Sequence, residues 1–142
     1  MVDKTLIMRK LAELDLYLVQ IREFEPVSLE DYRKDWKTQR IVERTLQMMI
    51  ETCADVANHL VAGGTMRPPT SYADTFRVLA ENGAIPAELA AVMEKMAKFR
   101  NIVVHQYETV DAEIVMLVLR KHLGDFDRFK NAVITFLMRT DQ

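Results

Sequence analysis

Apolar residues recur at steps of three and four along nearly the whole chain, and no stretch alternates apolar with polar residues in twos. The first spacing lays a stripe down one side of an α-helix. The second, which is missing, is what a half-buried strand needs. A chain written this way buries its apolar surface only by packing helix on helix. The expected fold is therefore all-α, an up-and-down bundle of about five helices with mostly short connections. At 142 residues the chain has the length of one domain, and residues 1–142 are read as a single unit.

The breaks between stripes place the helices. Leu6, Ile7, Leu11, Leu14, Leu18 and Ile21 set a first helix from about Asp3 to Arg22, which Pro26 ends. Ser28-Leu29-Glu30-Asp31 then supplies an N-cap oxygen with an acid three residues on. From Ser28 the chain reads either as one helix to about Val61 or as a short turn to Lys34 with a fresh start at Asp35. An unbroken helix would be about 50 Å long, more than a domain of this size needs, so the break is preferred. Val42, Leu46, Met49, Ile50, Cys53, Val56, Ala57 and Leu60 form the next stripe, stopped by Gly63-Gly64. Thr65 to Thr70, with Pro68-Pro69, is the loop where mobility is expected. Ser71 caps a short helix closed by Asn82-Gly83, and Pro86 opens the next. Asp111 caps a last long helix, in which Gly124 is expected to introduce a bend.

Charge and composition narrow the function. A net charge of −2 and a pI near 5.9 exclude a protein that coats nucleic acid nonspecifically, so any RNA contact must come from a local cationic spot. The single cysteine, Cys53, forms no intrachain disulfide and falls on an apolar stripe, as a buried reduced thiol does. No apolar run approaches the roughly 20 residues of a membrane span, and Asp3 and Lys4 interrupt the N-terminus. The expected location is cytoplasmic, with no membrane partner.

Chemistry concentrates in Phe99-Arg100-Asn101-Ile102-Val103-Val104-His105-Gln106-Tyr107. A cation, an amide, an imidazole and a phenol lie within two turns, separated by apolar residues. RNA carries its own nucleophile, the 2′-hydroxyl. His105 can take that proton or protonate the leaving 5′-oxygen. Arg100 can hold the phosphoryl oxygens, Asn101 can orient the imidazole or the phosphate, and Tyr107 can donate to a phosphate oxygen. No metal and no cofactor is required by this scheme, which leaves a 2′,3′-cyclic phosphate.

Helix geometry limits how one copy can do this. Arg100 and His105 on a regular helix point about 140° apart and are displaced about 7.5 Å along the axis, whereas Arg100 and Tyr107 lie nearly in line. Either two copies meet across a two-fold axis and share a cleft, or the helix end near Tyr107 loosens; the dimer is preferred. Taken alone, the same residues also suit an ordinary structural role: a solvated ion pair for Arg100, and a helix C-terminus for His105.

The segment resembles the Arg-x4-His-x-Tyr signature of the HEPN nucleases, specifically the HepT-type toxins, with Arg100, His105 and Tyr107 at the named positions. Asp35 to Arg44 and Asp55-Val56-Ala57-Asn58-His59-Leu60 are similar to the family's second helix, and Pro69 to Asp74 to its third. The resemblance implies an all-helical homodimer whose motif lines an interface cleft, acting as a ribonuclease toxin. It implies a partner as well, a minimal nucleotidyltransferase antitoxin of the MntA type that transfers AMP to the motif tyrosine, here Tyr107.

Other clusters invite weaker readings. Glu51, Asp55 and His59 share a helix face, but three ligands from one straight helix converge poorly on a metal, and a polar stripe is preferred. Arg40, Glu43 and Arg44 form an i,i+3 and i,i+4 charge pattern, or else line the same cleft as Arg100. The rival function is a non-catalytic helical adaptor or nucleotide-binding subunit that partners a nucleotidyltransferase.

Overall fold

The computed structural model describes residues 2–140. Helix α3 (Trp36–Gly63) is the pillar of the bundle, in contact with α1 (Lys4–Arg22), α2 (Leu29–Lys34), α4 (Asp74–Glu81), α5 (Ala87–His105) and α7 (Leu123–Arg139). Its whole expected stripe, from Val42 to Leu60, is buried. Ile7, Leu11, Leu14, Leu18 and Ile21 of α1 close one side, and Phe76, Val78 and Leu79 of α4 another. The buried apolar residues join into one continuous core, and the described residues contain no strand.

Capping chemistry sets the helix boundaries. The Ser28 hydroxyl accepts from the Asp31 N–H at 3.1 Å and starts α2. Asp35 ends that turn in an extended conformation and starts α3, its Oδ1 accepting from the Thr38 N–H at 3.1 Å. The break at Asp35 is thus a real one, made by a side chain that competes for the backbone donors. Gly83 adopts φ +72, where a side chain would be strained, and lets the Ala84 N–H reach the Leu79 carbonyl at 2.9 Å to close α4.

One expectation changes. The last long helix is α6 (Ala112–Leu117) followed without a loop by α7, but the irregularity between them is a π-helical turn over Val118–His122, not Gly124. Val118 and Leu119 stay buried through that turn, so one extra residue is absorbed while both keep facing the core. A Cβ at Gly124 would meet nothing. In the loop after α3, where mobility is expected, the Arg67 guanidinium bonds both Asp74 oxygens at 2.8 and 2.9 Å and both Glu81 oxygens at 2.9 and 3.0 Å.

Candidate active site

Arg100 is held by another helix. Its Nε and Nη2 donate to Glu51 Oε1 on α3 at 3.0 and 2.9 Å, and its Nη1 donates to Asn101 Oδ1 at 3.1 Å. The guanidinium also lies over the Tyr72 ring, 4.8 Å from the centroid. Of a guanidinium's five N–H groups three are engaged here, which leaves two for an anion.

The surroundings set the charge states. Partial burial alone would raise the Glu51 carboxyl. Hydrogen bonds from Gln47 and Arg100, with the charges of Arg100 and Arg44, outweigh it and hold the group below the usual glutamate value. Burial pushes the Tyr72 phenol up to about 12, against the lowering pull of Arg100, so this ring stays neutral and serves as a flat support.

The helix carrying Arg100 stops at His105. Gln106 turns to φ −132 and ψ 42 while its N–H still reaches the Ile102 carbonyl at 2.8 Å, and Tyr107–Thr109 form a 3-10 turn. Tyr107 therefore does not continue the helix in line with Arg100. It stands on the turn, 62% exposed. The His105 ring is exposed too, and neither its imidazole nor the Tyr107 hydroxyl makes a hydrogen bond among the described residues. Within one chain nothing bonds Arg100 to His105.

The remaining candidates separate. Arg40 Nη1 meets both Glu43 oxygens at 3.1 and 3.3 Å, the ordinary i,i+3 pair. No hydrogen bond or ion pair joins that pair to the motif. Glu43 is buried, and desolvation raises its carboxyl against the opposing pull of Arg40. Arg44 is exposed, and its charge reaches Glu51. The Glu51, Asp55 and His59 stripe divides: Glu51 serves Arg100, while Asp55 pairs with Lys10 and lies 3.8 Å from His59. Among the described residues no three such groups converge as metal ligands.

The family description "Ribonuclease HepT-like" matches residues 14–133. This chain belongs to the HepT-like ribonuclease family. It is 35% identical over 102 residues to the mRNA nuclease HepT of Shewanella oneidensis, covering 72% of this chain and 77% of that one. Against the tRNA nuclease HepT of Aphanizomenon flos-aquae identity is 24%, over 99% of this chain and 96% of the relative. A solved structure of a tri-AMPylated Shewanella oneidensis HEPN toxin with its MNT antitoxin matches at a TM-score of 0.86 and 30% identity, over 94% of this chain and 99% of that one. Among HepT-like chains, then, this one keeps the fold nearly end to end.

Sequence reasoning passes over the two side chains that shape the setting of Arg100. In the sequence Glu51 reads only as part of a polar stripe, and Tyr72 only as part of a resemblance. Glu51 lies 49 residues from Arg100, and no local spacing signals a contact of that range.

Proposed function

We propose that this chain is a HepT-type endoribonuclease toxin that cleaves RNA without a metal, using Arg100 and His105 contributed by two copies. The observation that carries the reading is the state of the motif. Arg100 is fixed in direction with two N–H groups to spare, while His105 and Tyr107 are exposed and unengaged. In the reaction the 2′-oxygen forms a bond to phosphorus and the bond from phosphorus to the 5′-oxygen breaks. One His105 takes the 2′-hydroxyl proton, the other protonates the departing 5′-oxygen, and Arg100 neutralises the phosphoryl oxygens.

A second copy is also supported by exposed apolar side chains. Trp36 and Ile41 of α3, and Ile114 and Leu117 of α6, lie open. The helices bearing them both pack on α2, where Arg33 bonds Glu113 at 3.3 Å. Apolar surface of this kind suits a partner of the same chain.

Control is suggested by the relatives that are complexed with MNT or MntA antitoxins. AMP transferred from ATP to the Tyr107 hydroxyl forms a phosphodiester there, releases pyrophosphate, and adds negative charge and bulk where the substrate phosphate must sit.

The adaptor reading has one observation on its side: Glu51 already neutralises Arg100. RNA cleavage decides between the two. Cleavage that survives EDTA and disappears in Arg100→Ala and in His105→Ala, at unchanged folding and dimerisation, is the expected result. Full activity in His105→Ala overturns the ribonuclease scheme.

A further inference from the structure

Beside Arg100 lies a groove of about 390 Å³ between α1, α3 and the turn carrying Tyr72. We propose that it holds the RNA base adjoining the scissile phosphate, and that it favours bases with an exocyclic amine over uracil. The inference rests on the ribonuclease reading and specifies which substrates that site prefers.

The groove is joined to Arg100 through two residues. Glu51 and Tyr72 both line it, and these are the side chains that fix the guanidinium. A nucleotide whose phosphate rests on the two spare N–H groups of Arg100 can direct its base past Tyr72, into this open groove. The volume lies within the range of small-ligand sites. Tyr17 and Tyr72, both partly buried, give it flat aromatic surface for a base to lie against.

Its polar groups are mostly acceptors. Glu13 makes no hydrogen bond or ion pair among the described residues, and the Glu51 bonds from Arg100 and Gln47 all fall on Oε1, leaving Oε2 open. Asn58 is exposed with its amide N–H groups unused, its Oδ1 receiving only the Thr75 hydroxyl at a long 3.4 Å. Lys10 of α1 and Asp55 of α3, which also line the groove, satisfy each other. Carboxylates facing a base accept from amino groups, and an asparagine amide matches the adenine N6–N7 edge. Adenine, cytosine and guanine each present an exocyclic amine. Uracil has no exocyclic amine: its one edge donor, the N3–H, is flanked by two carbonyl oxygens that oppose carboxylate oxygens on the groove wall.

The test maps cut sites in a randomised RNA by sequencing product ends, for the wild-type dimer, Glu13→Gln, Asn58→Ala and Glu13→Gln/Asn58→Ala. The expected wild-type profile has uracil depleted about tenfold at one position next to the cut. Both single variants are expected to relax that depletion and the double variant to remove it, as amine-bearing bases lose their advantage over uracil. Both positions are on the surface, and circular dichroism verifies the fold. A double variant that cuts with the unchanged wild-type profile overturns the groove assignment and leaves the ribonuclease reading standing. A wild-type chain that cuts no RNA overturns both.

Discussion

Arg100 of α5 spends two of its donors on a single oxygen of Glu51, at 3.0 and 2.9 Å across the bundle. That contact aims the guanidinium and also cancels part of its charge. The balance of the two effects fixes what Glu51 is worth.

Because aim matters more than charge where a planar fork must meet a phosphate, Glu51→Gln is expected to lower the RNA cleavage rate about tenfold. The pair is partly exposed, with Arg100 at 21% and Glu51 at 34%, so the same change should cost only about 1 kcal/mol or less in stability. Matched urea unfolding and initial-rate measurements separate the two. A variant faster than wild type would show that Glu51 restrains Arg100 instead of aiming it.

The Arg67 clamp makes a pH prediction. Hydrogen bonds from Arg67, then from the Thr70 N–H, hold the Asp74 carboxyl far below the usual aspartate range. A carboxylate depressed by folding contributes stability that is fully present above its unfolded value and is lost as pH falls through its folded one. Asp74→Asn is therefore expected to lower the thermal midpoint at pH 7, with the gap to wild type narrowing as pH drops below about 4. A constant gap from pH 7 to pH 3 would mean that the carboxylate charge contributes nothing.

Tyr32 offers the opposite case, since it is 1% exposed and its buried hydroxyl has no hydrogen-bond partner among the described residues. Burial, then the nearby Glu43 charge, drives its phenol well above the usual value, against the pull of Arg40. An orphaned hydroxyl costs roughly 1–3 kcal/mol. Tyr32→Phe, which keeps the ring and removes that oxygen, is expected to raise the urea midpoint by the equivalent of about 1 kcal/mol. A lowered midpoint would reveal a bound water on the hydroxyl.

Much of this architecture is legible in the sequence where the cause is local. The stripe from Val42 to Leu60 specifies α3, and an aspartate at 35 with Thr38 behind it specifies where α3 starts. Asn82-Gly83 specifies a left-handed stop. Causes acting at a distance leave no such trace. The π turn at Val118–His122 comes from keeping Val118 and Leu119 in one core, and the unbroken apolar period gives no hint of it. Periodicity puts Tyr107 in line with Arg100 only by extending a regular helix two residues past its end at His105. Which carboxylate Arg100 reaches is likewise a property of the packing of α5 on α3.

On the proposed scheme Tyr107 joins that helix end to regulation. On the 3-10 turn the Tyr107 hydroxyl projects from the bundle, with no partner to displace among the described residues. A nucleotidyltransferase can, on that scheme, then reach it without unfolding the chain. Tyr107→Phe should fold with unchanged stability, since no hydrogen bond is lost, and should keep most of its RNA cleavage. It should also gain no mass when co-expressed with an MntA-type antitoxin, and it should go on inhibiting growth. Intact-mass spectra and growth curves read both outcomes together. A Phe variant that still gains AMP would move the modification to another side chain, and one that is unmodified yet harmless would make the phenol part of the cleavage chemistry.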